Sequence, residues 1–129
     1  MAGEHILIVE DNPKNLKLLR DVLQFRGYVI SAAETGEAGV ALARTEPPAL
    51  ILMDIQLPGM DGREAAQMLK ADAHTRHIPI IALTAFAMKG DRERLLAEGF
   101  DGYISKPINI KDISQVVAQY LSGQRDTAC

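Results

Sequence analysis

The chain of 129 residues has no tryptophan, one cysteine and only 5% aromatic residues. The lone thiol, Cys129, is the last residue, so no internal disulfide can form, and one sulfur makes no zinc site. Such low cysteine use fits a reducing, cytoplasmic setting. Charge of one sign is also lacking. Fourteen basic residues against 17 acidic ones leave a formal charge of −3, which argues against a direct nucleic-acid partner, since that needs a concentrated basic surface. Long hydrophobic runs are missing too. Nothing approaches the roughly 20 apolar residues of a membrane-spanning helix. The N-terminal MAGEHILIVEDN has too short an apolar run, and too early an acid, for a signal peptide. No low-complexity stretch or long linker divides the sequence. It reads as one domain over residues 1–129, with a core from about 4 to 122 and a short polar tail at 123–129. Met1 and that tail favour a complete, stand-alone chain.

What is present is enough apolar residue, 47% of the chain against 24% charged, to bury a core. Five apolar runs, HILIV (5–9), YVISA (28–32), ALILM (49–53), IPIIAL (78–83) and GYIS (102–105), read as strands. The first, third and fourth are apolar at successive positions, as in strands covered on both faces; the second and fifth carry small or polar residues and belong nearer the edges. Helical periodicity fills the gaps. Asn12 caps a helix that has Pro13 at its first position and ends at Gly27. Asn109 caps another, in which Ile113, Val116, Val117, Tyr120 and Leu121 fall on one face. Residues 36–45 and 62–72 form two more. The stretch 88–98, MKGDRERLLAE, carries little apolar surface and reads as a weakly anchored helix. Alternating strands and helices imply an α/β, flavodoxin-like (βα)5 fold. Its doubly wound parallel sheet takes the order 2-1-3-4-5, with ligands at the carboxyl ends of the strands.

That edge collects charged residues. The first strand ends in Glu10-Asp11 and the third in Asp54, so three carboxylates converge. At about 4 Å, two unit charges repel by about 4 kcal/mol at an effective dielectric of 20. The site must protonate, spread its charges or bind a cation, and hard oxygen ligands suit Mg²⁺. Thr84 ends the fourth strand, and Lys106 lies at the end of the fifth, before Pro107. Acids, a hydroxyl and an ammonium around a metal make a phosphoryl site in which an aspartate can serve as nucleophile. Taken singly, each residue has a blander reading as a strand end, a cap or a surface charge; their convergence is what favours chemistry. Pro58, Gly59 and Gly62 read as turn residues only, and His5, His74 and His77 as surface or strand-start residues without metal-ligand spacing.

The motifs LIVEDN, LILMDIQLPGMDG, IIALTA and YISKP, in that order and at strand ends, resemble the receiver domain of two-component response regulators over about residues 4–122. The resemblance implies that Asp54 is the phosphoacceptor and that Asp11, Glu10, Asp54 and the backbone carbonyl of Gln56 hold Mg²⁺. It implies that Thr84 and Lys106 contact the phosphoryl group, that Thr84 and Tyr103 form a switch, and that the Lys106–Pro107 bond is cis. Gln56 and Phe86 stand at positions that influence phosphate lifetime. The implied partners are a histidine kinase or histidine phosphotransfer protein as donor and a downstream protein as target. Output would pass through the fourth helix, fifth strand and fifth helix. The chain would be a stoichiometric phosphoacceptor, not an enzyme, with at most slow self-dephosphorylation.

Three other readings compete. A flavodoxin-like flavin carrier needs a phosphate-cradling first loop, yet Glu10-Asp11-Asn12-Pro13 repels phosphate and loses a donor at proline. A phosphatase with an aspartate nucleophile needs an acid–base group near Asp54, and none is evident. A receiver-like module that never accepts phosphate is disfavoured by Asp54, Asp11 and Lys106 together.

Overall fold

The computed structural model describes residues 3–85 and 91–126. The elements in chain order are β1 (His5–Val9), α1 (Pro13–Phe25), β2 (Val29–Ala33), α2 (Gly36–Thr45) and β3 (Leu50–Asp54). They continue with α3 (Gly62–Ala71), β4 (Ile80–Thr84), α4 (Asp91–Ala97), β5 (Gly102–Ser105) and α5 (Ile110–Asp126). All strand pairings are parallel, in the order β2-β1-β3-β4-β5. This is the flavodoxin-like order expected from the sequence, with the two mixed-composition strands at the edges. Every residue of β3 and β4 is buried, as their unbroken apolar runs require.

Side chains alternate across the sheet and build two cores. Ile6, Ile8, Leu50, Leu52, Ile81, Leu83 and Ile104 pack with Leu19 and Leu23 of α1 and Ile113 and Val117 of α5. Leu7, Val9, Ile51, Met53, Ile80 and Ala82 face the other way. They pack with Val40 of α2, Ala65, Ala66 and Leu69 of α3, and Leu95 of α4. Helices α1 and α5 therefore cover one face, and α2, α3 and α4 the other.

Helix starts follow their caps. The Asn12 side chain accepts from the N–H groups of Lys14 and Asn15 at 2.9 and 3.3 Å, with Pro13 in the first turn. Asp61 and Glu64 form a reciprocal capping box at α3. At the end of α1, Gly27 adopts φ 95°, a conformation glycine takes without steric cost.

Several boundaries differ from the sequence reading. Strand β2 begins at Val29 rather than Tyr28, because the Tyr28 N–H bonds back to Leu23 O and closes α1. Strand β3 extends from Leu50 to Asp54 rather than from 49 to 53. The Ile78 N–H is taken by Thr75 O and Pro79 has no N–H to give, so β4 starts at Ile80 and runs on to Thr84. Helix α3 stops at Ala71, and the N–H of its cap, Asp72, bonds Leu69 O. Helix α4 is described over Asp91–Ala97; residues 88–90 of the expected helix, and Phe86, lie outside the described residues. The expected polar tail is helical as far as Asp126.

Candidate functional site

Glu10 and Lys106 extend the sheet just beyond β1 and β5. The Glu10 N–H bonds Ala33 O at 3.0 Å, and the Lys106 N–H bonds Thr84 O at 2.8 Å. With Asp54 closing β3, the carboxyl edge thus carries acid, acid and ammonium at the ends of β1, β3 and β5, with β4 between the last two. Strand alternation then decides which way each points. Glu10 continues the row of Ile6 and Ile8, Asp54 the row of Leu50 and Leu52, and Lys106 the row of Ile104; all three fall on the α1–α5 side. Thr84 continues the opposite row through Ile80 and Ala82, and Tyr103, paired with Ala82, packs half-buried against that second core.

The distances match this parity. Lys106 Nζ lies 3.1 Å from Asp54 Oδ2 and 3.5 Å from Glu10 Oε1. Asp54 Oδ1 accepts the Gln56 N–H at 3.1 Å, which fixes the carboxylate plane with Oδ2 toward the lysine. Glu10 Oε2 accepts the Asn12 N–H at 3.1 Å, whereas its buried Oε1 makes no hydrogen bond. Glu10 is fully buried and Asp54 nearly so, while Asp11 is exposed. The Lys106–Pro107 peptide is cis, as the resemblance implies.

One ammonium does not balance two buried carboxylates. The Glu10 carboxyl is accordingly pushed up to about 7, first by burial and then by the neighbouring Asp54; the Asn12 N–H and Lys106 oppose the shift only in part. Carboxylate oxygens of Glu10, Asp11 and Asp54 lie within 4.8 Å of one another. A cluster of hard oxygen donors, short of positive charge and open on the Asp11 side, fits a small divalent cation of the Mg²⁺ type.

The comparisons with known proteins converge on the same point. Residues 6–118 match the response regulator receiver domain. The chain belongs to that family. It is a receiver domain of two-component signalling, a family of phosphoacceptors rather than enzymes. The polar-differentiation response regulator DivK of Brucella ovis is 48% identical over 116 residues, 90% of this chain and 94% of that one. Among solved structures, a CheY-like receiver domain protein from Methanospirillum hungatei is 30% identical, with a TM-score of 0.87, covering 98% of this chain and 99% of its own. The receiver domain of a sensor histidine kinase of Pseudomonas aeruginosa is 36% identical, with a TM-score of 0.85 and coverage of 94% and 99%; its structure holds a magnesium ion in the active-site cleft. Membership implies a histidine kinase as signalling partner. Among the described residues, no helix is long and apolar enough to cross a membrane.

The structure thus gathers Glu10, Asp11, Asp54 and Lys106, sets the Gln56 peptide against Asp54, and places Thr84 and Tyr103 on the other face. Two features escaped the sequence reading. Asn12 reads as a helix cap, yet its backbone N–H also holds the buried Glu10. Gly62 reads as a turn residue, yet it is the first residue of α3 and donates its N–H to Ile55 O at 2.8 Å, directly behind the aspartate. The GMDG run marks a loop but carries no signal of that packing.

Proposed function

We propose that Asp54 accepts a phosphoryl group from a phosphohistidine of a histidine kinase or histidine phosphotransfer protein, in the cytoplasm. The observation that carries this reading is the approach of Lys106 Nζ to Asp54 Oδ2 beside two further acids. Asp54 Oδ2 attacks phosphorus as the donor's P–N bond breaks; the bond's electron pair stays on the imidazole nitrogen, which takes its proton from solvent. The Gln56 N–H on Oδ1 leaves Oδ2 as the attacking oxygen. Lys106 moves its charge from the carboxylate to a phosphoryl oxygen, and the Thr84 hydroxyl donates to another. Asp11, Asp54, the Gln56 carbonyl and, more remotely, Glu10 would hold Mg²⁺, which supplies charge neutralisation for the phosphoryl oxygens.

The signal then leaves by the face of α4, β5 and α5 toward a downstream protein. Drawing the Thr84 hydroxyl toward the phosphoryl group frees space behind β4 into which Tyr103 can turn. Likeness to polar-differentiation regulators supports a target of that kind.

Intact mass after treatment with acetyl phosphate, with and without Mg²⁺, tests the acceptor. One added phosphoryl mass that requires Mg²⁺ and is lost in Asp54→Asn is expected. A variant that still gains that mass assigns the chemistry to another residue.

A further inference from the structure

Two glycines flank the phosphoacceptor loop for a reason that is not conformational. Neither Gly36 nor Gly62 has positive φ; among the described glycines that belongs to Gly3, Gly27, Gly59 and Gly99. Both sit at the first position of a helix, α2 and α3, where alanine is the better helix former. Backbone geometry and propensity would each allow a side chain. Space does not. A Cβ on Gly62 would stand 2.2 Å from Asp54 O, 2.8 Å from Ile55 Cα and 3.0 Å from Asp54 C. A Cβ on Gly36 would stand 2.8 Å from Met60 O. These neighbours are backbone, which cannot rotate away.

The loop from Ile55 to Asp61 is therefore gripped at both ends. At its start, Gly62 lies against the Asp54–Ile55 peptide and bonds Ile55 O. At its far end, the start of α2 closes on Met60. The Asp61–Glu64 capping box holds the first turn of α3 together, so the contact cannot be relieved by fraying that turn. The segment held this way contains the peptide of Gln56, whose N–H orients the Asp54 carboxylate.

We propose that Gly62, backed by Gly36, is a positioning residue of the phosphoacceptor site: its bare α-carbon lets α3 begin hard against the Asp54–Ile55 peptide and so sets the direction of Asp54 and of the Gln56 carbonyl. The inference rests on the reading of Asp54 as acceptor. Restoring ordinary contact around a Cβ at Gly62 requires a shift of about 1 Å between α3 and the Asp54 peptide, and a misplacement of that size costs a reaction up to roughly 100-fold.

The test compares Gly62→Ala, Gly36→Ala and Gly102→Ala with the wild type. Gly102 serves as the control: its Cβ would press on the Tyr120 hydroxyl, on the strand farthest along the sheet from Asp11. The readouts are Mg²⁺ affinity by calorimetry, rate of phosphorylation by acetyl phosphate, the metal-free amide shift of Gln56, and thermal stability. Gly62→Ala is expected to weaken Mg²⁺ binding and slow phosphorylation by about 10–100-fold and to move the Gln56 amide. Gly36→Ala is expected to do the same by a few-fold, and Gly102→Ala to change stability alone. A folded Gly62→Ala with wild-type Mg²⁺ affinity and rate overturns the proposal. Should Gly62→Ala not fold, wild-type values in Gly36→Ala overturn it. If the wild type itself takes no phosphoryl group, the reading of Asp54 fails instead, which the Asp54→Asn comparison separates from failure of the glycine argument.

Discussion

Replacing Glu10 by glutamine should stabilise the metal-free protein, and by more as pH rises. The carboxyl is pushed up to about 7 from an ordinary 4.5 because it is fully buried beside Asp54. Below pH 4.5 the folded and unfolded chains both hold the proton, so the carboxyl costs nothing there. Between 4.5 and 7 the folded chain keeps a proton that the unfolded chain has released, and stability falls with rising pH. Above 7 the penalty is complete. At 1.4 kcal/mol per pH unit it amounts to about 3 kcal/mol, a large share of the 5–15 kcal/mol typical of a whole domain. Glutamine removes the ionisation while keeping the shape. Its carbonyl oxygen can still accept the Asn12 N–H that now bonds Oε2.

Urea unfolding of both proteins in EDTA, at pH 5, 6, 7 and 8, measures the difference directly. The variant should gain on the wild type steadily from pH 5 to 7 and then hold its lead. Excess Mg²⁺ should narrow or reverse the lead, since a cation bound to the wild type at 100 times its Kd adds about 2.7 kcal/mol. Parallel stability curves across pH 5–8 would refute the argument, for they would mean that the folded protein spends nothing on ionising Glu10.

Asp11→Ala should leave the metal-free fold as stable as the wild type or slightly more so, because it relieves repulsion at an exposed edge. It should weaken Mg²⁺ binding by more than the roughly 10–100-fold typical of outer-shell partners; calorimetry and melting with EDTA or Mg²⁺ check both, and undiminished affinity removes Asp11 from the metal site. Thr84→Ala should still accept the phosphoryl group but lose most of the Tyr103 response. In the wild type, phosphorylation should move amide resonances in residues 84–98 and 102–112 more than in 36–45, and equal shifts on both faces would place the output elsewhere.

The parts of the fold legible in the sequence are those set by one segment's own pattern. β1, β3 and β4 are apolar at consecutive positions because both faces are covered, and caps such as Asn12 act within a turn of themselves. Boundaries that moved depend on turn bonds just before the strands, which hydrophobic pattern does not report: Tyr28 is claimed by Leu23 O, and Ile78 by Thr75 O. The acidic edge was legible because strand order alone makes Glu10 and Asp54 neighbours. The depth of Glu10 was not, since how completely a side chain at a strand end is covered depends on the segments packed around it. The role of Gly62 was hidden for a different reason: a missing side chain reads as flexibility, whereas here it is a close contact.

Alternation also divides the site in a way that bears on signalling. Glu10, Asp54 and Lys106 continue rows that face α1 and α5, while Thr84 and Tyr103 continue rows that face α4. The charge imbalance and the candidate readout therefore lie on opposite faces of one sheet. In the proposed reading, a phosphoryl group on Asp54, with oxygens directed to both sides, changes the α4 face by also reaching around the end of β4 to the Thr84 hydroxyl. If the proposed reading holds, Mg²⁺ binding and phosphorylation should be separable in effect: the ion would relieve Glu10 and Asp54, and the covalent group would couple them to Tyr103.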